Sequence, residues 1–355
     1  MALFPVPAYL SMPAVGLDIS EDAVRFIELV PHRGYFRVSR YANKNFSSGV
    51  VRDGRLADKN KLRETIAQLA HEYKLSFANI ALPEEQAYLV NMRLPRAAIA
   101  DIRGAIEIHL EEYAPISGSA AYFDFMRVED PKRQHDSIDV VVSALPMDAV
   151  NEYLTIFRDT GIIPKAFEFE SQAMARSIIR RGDTGTYMII DIGKMVSEIC
   201  VKARGVVQFS ASLDVGGETL TQAIMRSLKI TAEEAEALKF EHGLLGGSRA
   251  KEVHEALVPA VMDLRSRLLR HYGYWQTHHG EKFGDSIEHI YLSGGGANMK
   301  GLPEFIAQSV DVGVSVANPW VNVAPADEYI PPLLASESLG YTAAIGLALR
   351  SLHRI

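Results

Sequence analysis

The sequence predicts an α/β protein built as two similar halves that face each other across a cleft, with a smaller β-α-β-β-α-β unit inserted into the first half. Strand-like and helix-like segments alternate along the 355 residues, which is typical of α/β folds. One hairpin pattern occurs twice, at 14–20 and at 188–193, and such an internal repeat indicates duplicated units. A compact run at 87–166 carries the pattern of the inserted unit. At roughly 150 residues per domain, the length accommodates two halves and an insertion.

Composition favours a soluble globular protein. The chain is 48% hydrophobic and 23% charged, and its net charge of −7 argues against nucleic acid as a main partner. Cys200 is the one cysteine, which excludes a disulfide within the chain and indicates a reducing compartment. No apolar stretch reaches the ~18 residues of a membrane span, and the apolar tail at 1–13 lacks the basic start of a signal peptide. We therefore expect a cytoplasmic protein.

The first half begins with three strands, which apolar alternation and turn residues place within 14–46. A helix near 58–74 follows, because apolar side chains recur at helical spacing. These side chains are Leu62, Ile66, Leu69 and Tyr73. A short buried strand at 79–83 ends in proline, so the order is β-β-β-α-β.

The inserted unit consists of four predicted strands and two predicted helices. They are a strand at 87–92, a helix at 97–113, strands at 121–128 and 137–145, a helix at 147–160 and a strand at 163–169. One apolar face predicts the first helix, formed by Ile99, Ile102, Ile106, Leu110 and Tyr113. A charged turn at 129–136 separates the two central strands, and Gly161 ends the second helix.

The second half repeats the three-strand pattern and then becomes mainly helical. A helix at 171–181 precedes strands at 186–192, 196–203 and 206–213. One helix is predicted to begin at Gly217, and two more are predicted at 233–242 and at 252–279. The remaining elements are a strand at 287–292, a helix at 302–309, a proline-rich loop and a closing helix at 339–352.

The duplicated hairpins predict a phosphate clamp. Each hairpin has an apolar strand that ends near an aspartate, Asp18 or Asp191, followed by a tight turn. Successive backbone N–H groups of such a turn suit a phosphate, and the aspartate can hold a hydrated Mg²⁺. One copy alone would favour an ordinary aspartate turn. Two copies about 170 residues apart favour the clamp.

Two weaker patterns fit the same ligand. Ser293-Gly-Gly-Gly296 follows a buried strand, and glycines allow backbone to approach a flat ligand closely. Glu236 and Lys239 share a helix face and can bracket a ribose, although such a pair alone is more often a surface ion pair. The P-loop, dinucleotide and nucleophile-elbow fingerprints do not occur in the sequence.

Taken in order, these elements resemble segments of the actin/Hsp70 ATPase superfamily. Within it the sequence most resembles the PilM family of type IV pilus assembly proteins, relatives of the division protein FtsA, over nearly the whole chain. The matching segments are Gly16-Leu-Asp-Ile-Ser20 with Arg25, Glu111-Glu-Tyr-Ala-Pro-Ile116, Asp191-Ile-Gly193, Glu236-Ala-Leu-Lys239, Ser293-Gly-Gly-Gly296, Asn318-Pro-Trp320 and Gly346-Leu-Ala-Leu349.

The resemblance implies ATP with Mg²⁺ bound between two actin-like (ribonuclease H-like) halves. Asp18 and Asp191 would hold the metal, mostly through water, and Glu170 resembles the glutamate that positions the attacking water. The cofactor-binding residues implied are Asp18, Ile19, Ser20, Arg25, Asp191, Gly193, Lys194, Gly217, Glu236, Lys239, Gly294, Gly295 and Gly296. The implied domains are 14–86 (subdomain 1A, completed by 167–185 and 339–355), 87–166 (inserted subdomain 1C) and 186–338 (domain 2, with subdomain 2B at about 214–285).

The resemblance also implies partners. An N-terminal cytoplasmic segment of the inner-membrane protein PilN would lie in a groove beside the inserted subdomain. Through PilN the protein would associate with the membrane, and contacts with the pilus motor ATPases, the platform protein or further copies in a ring would follow. A type II secretion component with an actin fold and a small-molecule kinase of the same superfamily are the alternatives.

The first phosphate turn departs from the family pattern. Ser20 stands where most relatives have glycine, and Glu21 and Asp22 bring two carboxylates near the triphosphate, which they would repel unless they turn away. The proline that commonly follows the catalytic glutamate is absent after Glu170. We therefore expect ATP binding with slow or absent hydrolysis.

Overall fold

The computed structural model describes residues 13–46, 49–52, 54–129, 137–245, 248–280 and 285–352. The apolar tail and the charged turn between the two central strands of the insertion lie outside these ranges, apart from residues 13 and 129. Among the described residues, no helix combines the length and the apolar character that a bilayer crossing requires.

The strands, in chain order, are β1 Val15–Ile19, β2 Ala23–His32, β3 Tyr35–Asn45, β4 Val51–Arg52, β5 Arg55–Leu56, β6 Phe77–Leu82, β7 Tyr88–Pro95, β8 Ala121–Val128, β9 Ser137–Pro146, β10 Ile163–Phe169, β11 Tyr187–Ile192, β12 Ser197–Ala203, β13 Val206–Leu213, β14 His289–Ser293 and β15 Gly313–Val316. The α-helices are α1 Lys59–Tyr73, α2 Ile102–His109, α3 Met147–Ile156, α4 Glu170–Ile178, α5 Gly217–Leu228, α6 Ala232–Glu241, α7 Ser248–Trp275, α8 Leu302–Ala307, α9 Ala335–Ser338 and α10 Thr342–Leu352.

Two five-stranded sheets share one topology, so the predicted duplication is confirmed. The first sheet has the order β10-β6-β1-β2-β3 and the second the order β15-β14-β11-β12-β13. In each, the first three strands along the chain are antiparallel and the other two run parallel to the central strand. Asp18 in β1 and Asp191 in β11 are both the penultimate residues of a central strand. The fold therefore brings the two aspartates to equivalent positions.

Helices α4 and α10 cross between the two sheets at very close range. A Cβ atom built on Gly346 of α10 would lie 1.8 Å from the Ala173 carbonyl oxygen of α4. A Cβ atom on Gly16 of β1 would lie 1.9 Å from the Ala344 carbonyl oxygen, so α10 also presses directly on the first sheet. Only glycine allows backbones to approach this closely. These contacts fix where α10, and the cleft residues at its start, sit relative to both sheets.

Three of the four strands predicted for the inserted unit form a separate three-stranded sheet, in the order β7-β9-β8. The fourth, predicted at 163–169, is β10, which instead pairs with β6 at the edge of the first large sheet. Strands β8 and β9 were predicted within one residue, but the helix predicted at 97–113 is broken into a 3₁₀ segment, α2 and a second 3₁₀ segment. The carboxylate of Asp101 accepts the Gly104 N–H at 2.8 Å and starts a new helix there, as N-cap residues do. Ile99 and Tyr113, predicted to face the core, are exposed instead.

Four further predictions about the elements were incomplete. The loop predicted between β3 and α1 contains the short hairpin of β4 and β5, and strand β15 was not predicted. The helix predicted at 147–160 ends at Ile156, because the chain turns through positive φ at Asp159 and Gly161. Helix α7 is followed by a π-helical turn at Gln276–Gly280.

Candidate nucleotide-binding cleft

A cleft of about 260 Å³ lies between the two large sheets, at the ends of β1 and β11. All fourteen residues that the sequence singled out as site residues line it. They are Asp18, Ile19, Ser20, Arg25, Glu170, Asp191, Gly193, Lys194, Gly217, Glu236, Lys239, Gly294, Gly295 and Gly296. The two halves of the chain thus contribute their repeated hairpins to one concavity.

Asp18 presents a buried carboxylate to the cleft. Its residue is 4% exposed, and its Oδ1 atom has no hydrogen-bond partner among the described residues. Burial raises the pKa of Asp18 to about 6, although the Arg25 guanidinium, 4.0 Å from Oδ2, opposes that rise. A buried carboxylate oxygen without a donor is costly, so this atom calls for a cation or a water held by one.

The first turn directs Asp22 towards cations. The Ser20 hydroxyl donates to the Asp22 carboxylate at 3.1 Å, and an Arg25 nitrogen lies 3.7 Å from the same oxygen. The other Asp22 oxygen lies 3.8 Å from the Lys194 ammonium, which belongs to the second turn. Asp22 therefore bridges the two sides of the cleft, between two of the cations that a phosphate would use.

The second turn is anchored to the start of α5. The carbonyl of Gly193 accepts the Gly217 N–H at 2.9 Å, and the carbonyl of Lys194 accepts the Glu218 N–H at 2.7 Å. A side chain at Gly193 would place its Cβ 2.7 Å from the Val196 carbonyl, so the turn requires glycine. Two backbone N–H groups at the start of helix α5 are thus already occupied by the loop that follows β11.

Asp191 faces Asp18 across the cleft. Burial raises the pKa of Asp191 to about 6, and a hydrogen bond with Ser293 opposes the rise. Ser293 is the register partner of Asp191 on the neighbouring parallel strand, and its hydroxyl oxygen lies 2.9 Å from the Thr342 hydroxyl oxygen at the start of α10. Through Ser293, which directly precedes the glycine run Gly294–Gly296, contacts connect Asp191 to the start of α10.

The three consecutive glycines differ in what they do. Gly294 has φ +78°, and a Cβ on it would lie 2.5 Å from the Ile192 carbonyl; a Cβ on Gly296 would lie 2.3 Å from the Ile192 side chain. Both are required by packing on β11. A Cβ on Gly295 meets no atom within 4 Å, and the residue is exposed. Gly295 is therefore the glycine of the three whose surface a ligand can approach.

Glu236 and Lys239 lie at the α6 side of the cleft in different environments. Glu236 is exposed, whereas the buried Lys239 ammonium donates to Thr221 Oγ1 at 2.7 Å and to the Gly217 carbonyl at 3.1 Å. Burial lowers the pKa of Lys239. Lys239 thus ties α6 to α5 as well as facing the cleft.

The cleft contains a further acidic residue, Glu198 on β12, which the sequence analysis did not select. It is 7% exposed, and its Oε2 atom has no hydrogen-bond partner among the described residues. Glu198 pairs with Asp191 in the β11–β12 register as Arg25 pairs with Asp18 in the β1–β2 register. In both hairpins the partner follows the aspartate at the same spacing, and this spacing was the signal that could have identified Glu198.

Glu170, at the start of α4, lies among these carboxylates. Burial, followed by the charges of Glu198, Asp18 and Asp191, raises the pKa of Glu170 well above its usual range. A raised pKa shifts this carboxyl towards its protonated form, in which it cannot accept a proton from the attacking water. This agrees with the expectation of slow hydrolysis.

The donor set fits a hydrated Mg²⁺. Asp18 offers an unpaired carboxylate oxygen and Asp191 lies opposite, and oxygen ligands suit Mg²⁺, which commonly keeps several waters. Within the described residues, no three His, Cys, Asp or Glu side chains converge closely enough to hold a metal directly. The arrangement therefore suits an ion that contacts the chain mostly through water.

Replacing Glu198 by Gln is expected to stabilise the nucleotide-free protein at pH 8 and to change little at pH 4. Burial and neighbouring carboxylates raise the pKa of Glu198 well above 4.5, so the folded chain holds this proton to a higher pH than the unfolded chain. The stability contributed by that proton is complete below about pH 4.5 and is lost as the pH rises through the folded-state pKa. The free energy of unfolding of the variant is therefore expected to exceed that of the parent at pH 8 and to equal it at pH 4. Urea unfolding measures it, and an equal change at both pH values would contradict the argument.

A second concavity, of about 740 Å³, lies between the inserted sheet and the first large sheet. We call it the β8–β10 groove, because β8 and β10 are the edge strands that border it. Tyr122 and Met126 of β8 are 46% and 49% exposed there, and Phe167 of β10 lines the opposite side. Two free strand edges flanking apolar side chains form a surface that suits an extended peptide.

Comparison with known proteins identifies the fold. A chain of a solved PilM–PilN type IV pilus biogenesis complex is 22% identical, with a TM-score of 0.79, and the match covers 96% of this chain and 98% of that one. MreB 5 of Spiroplasma citri bound to AMPPNP matches at 13% identity and TM-score 0.58, over 96% of each chain. The ethanolamine utilization protein EutJ from Carboxydothermus hydrogenoformans matches at 17% and 0.56, over 98% of this chain and 90% of that one. The chain therefore has the predicted actin-like fold.

The family model described as type IV pilus assembly protein PilM matches residues 16–352, nearly the whole chain. This match extends from the first central strand to the end of α10, and so includes both aspartate turns, the inserted sheet and the glycine run. The chain belongs to the PilM family of type IV pilus assembly proteins.

Proposed function

We propose that this protein is an ATP-binding scaffold of type IV pilus assembly, held at the cytoplasmic face of the inner membrane through PilN. The observation that carries the nucleotide part is the convergence of all fourteen predicted site residues on one cleft. Through PilN the scaffold would connect to the pilus motor ATPases and the platform protein, alone or as a ring. We divide the chain as the sequence suggested, with the cleft between subdomain 1A (14–86, completed by 167–185 and 339–355) and domain 2 (186–338), and with 87–166 inserted as subdomain 1C.

In the cleft, the two turns would hold the phosphates and the glycine run would lie against the base. Asp18 and Asp191 would hold the waters of Mg²⁺, which when bound neutralises charge on the phosphate oxygens. Arg25 and Lys194 would add positive charge from opposite sides. Gly295 leaves open space for a flat ring, and Glu236 lies where a ribose hydroxyl can reach it.

In the β8–β10 groove, the N-terminal cytoplasmic segment of PilN would bind as an extended chain. The solved PilM–PilN complex contains PilN, and its matching chain is superposable over nearly all of this one. A groove with apolar walls and two strand edges supplies both pockets and backbone partners for such a segment.

A titration with the PilN N-terminal peptide, with and without Mg·ATP, tests the proposal. Saturable binding in at least one condition is expected. Absence of binding in both conditions would remove the scaffold function. Substituting Met126→Asp in the groove should abolish peptide binding and leave ATP binding unchanged, because the side chain is exposed in the groove and outside the cleft.

Hydrolysis is expected to be slow or absent, because the raised pKa of Glu170 makes it less available as a base and the first turn is acidic. The steady-state release of phosphate by the purified protein measures this. A turnover of several ATP molecules per second would contradict it.

Asp22→Asn is expected to tighten Mg·ATP binding by about three- to tenfold. The substitution removes the carboxylate that sits between Arg25 and Lys194 and leaves an isosteric amide to hydrogen-bond with Ser20. Both cations then become available to the phosphates, and one negative charge near them is lost. Isothermal titration measures the change, and weaker binding by the variant would contradict this role.

A further inference from the structure

The β8–β10 groove continues into a smaller pocket of about 240 Å³. The two concavities share lining residues at their junction, namely Met126, Glu168, Gln172 and Arg176. Beyond the junction the walls change: the pocket is closed by the C-terminal side of α4 and by the β12–β13 hairpin. A chain lying in the groove can therefore pass into this pocket and touch the second half of the protein.

The pocket carries an excess of positive charge. Arg180 and Arg181 line it, are exposed, and form no ion pair with a described residue. The Lys202 residue is only 9% exposed, and its ammonium donates to the Asp183 carbonyl at 2.9 Å. Burial lowers the pKa of Lys202. An ammonium in this position gains from a nearby anion.

The acidic groups around the pocket are already engaged. Glu168 pairs with Arg176 and also with Arg350, which lies 3.1 Å away. The Asp183 carboxylate accepts the Tyr187 hydroxyl at 3.1 Å and the Gly185 N–H at 2.9 Å. Asp183 balances part of the charge of Lys202, whereas the charges of Arg180 and Arg181 are left for a ligand.

The backbone that carries the two arginines is held in place. The Asn322 amide nitrogen donates to the carbonyls of Arg176 and Ile179, and its oxygen accepts the Arg181 N–H at 2.9 Å. The segment after α4 is therefore pinned beside the pocket. A backbone that is already fixed does not have to be ordered when the two arginines bind a carboxylate, which lowers the entropy cost of binding.

We propose that the segment bound in the β8–β10 groove extends into this pocket and places a carboxylate there, from an Asp or Glu side chain, against Arg180, Arg181 and Lys202. This inference rests on the proposed binding of PilN. It adds a charged contact with the second half of the protein to the apolar contacts of the groove. Binding of the segment then depends on the placement of the two halves as well as on the inserted sheet.

The double variant Arg180→Gln/Arg181→Gln tests the pocket, with Arg226→Gln/Arg270→Gln as its matched control. Both pairs of arginines are exposed, and the control pair removes the same charge from residues that line neither concavity. Binding of the PilN N-terminal peptide is titrated for both variants and the parent, at low and at physiological salt. We expect about five- to tenfold weaker binding by the pocket variant at low salt, less at physiological salt, and no change in the control.

A peptide in which each Asp and Glu is replaced by its amide completes the test. The affinity of this amide peptide for the parent should be as low as the affinity of the acidic peptide for the pocket variant. Its affinity for the pocket variant should be only slightly lower than its affinity for the parent. Equal affinity of the acidic peptide for the pocket variant and the control would overturn the inference while leaving PilN binding intact. A parent protein that binds no peptide at all would overturn the proposed function and this inference together. Unchanged thermal unfolding of both variants shows that folding is not the cause.

Discussion

Asp191→Ala is expected to abolish detectable ATP binding without unfolding the protein. Asp191 faces Asp18 across the cleft and, in our proposal, holds the waters of the magnesium ion that accompanies the nucleotide. The substitution also removes the hydrogen bond between the Asp191 carboxylate and Ser293, the residue before the three glycines at 294–296. One substitution therefore removes both a contact to the magnesium waters and a hydrogen bond that links β11 to the residue before the three glycines.

The Asp191→Ala variant should be at least as stable to unfolding as the parent, because the substitution removes a buried charge. Burial raises the pKa of Asp191 to about 6, so at pH 8 the folded protein holds an ionised carboxylate at a cost. Alanine removes that cost. The variant is thus expected to unfold at the same urea concentration as the parent or a higher one, and the excess should diminish below pH 6.

The matched control is Asp263→Ala on α7, where the side chain is 53% exposed and, among the described residues, forms an ion pair only with Arg267 four residues on. It should bind ATP as the parent does. Fluorescent-nucleotide titration in the presence of Mg²⁺ compares the three proteins. Unchanged affinity of Asp191→Ala would show that the nucleotide does not occupy this cleft.

The sequence was sufficient to bring the cleft residues together, because its motifs lie at strand ends and at the starts of helices. Asp18 and Asp191 occupy the same place in two copies of one topology, so their convergence follows from the repeat. The different roles of Gly294, Gly295 and Gly296 could not be predicted from the repeat. Gly294 and Gly296 are set by packing against Ile192, a tertiary contact that carries no local signal.

Local competition and tertiary pairing explain where the predicted elements differ from the observed ones. The apolar spacing around Ile106 predicted one long helix, yet the Asp101 carboxylate caps Gly104 and divides it. Strand β15 has four residues, which are too few to show an alternation of apolar and polar side chains in the sequence. It forms because it pairs in parallel with β14. Long alternating strands such as β8, by contrast, needed no tertiary information.

Gly346→Ala is expected to destabilise the protein by about 3 kcal/mol or more, the upper range for overpacking. The added Cβ would lie 1.8 Å from the Ala173 carbonyl oxygen, and this atom belongs to backbone that cannot rotate away. Helices α4 and α10 must then separate. Because α10 begins at Thr342, which holds Ser293 beside Asp191, ATP binding should weaken as well.

Gly273→Ala is the matched control, since it adds the same atom to another helix. A Cβ on Gly273 of α7 meets no atom within 4 Å, so alanine there should stabilise the protein by about 1 kcal/mol through helix propensity. Urea unfolding of the two variants is therefore expected to give changes of opposite sign, although each adds a single methyl group. Equal changes would mean that α4 and α10 are not in contact at Gly346. In that case α10 would pack differently within the first half, and the cleft would lose the anchor that α10 gives it.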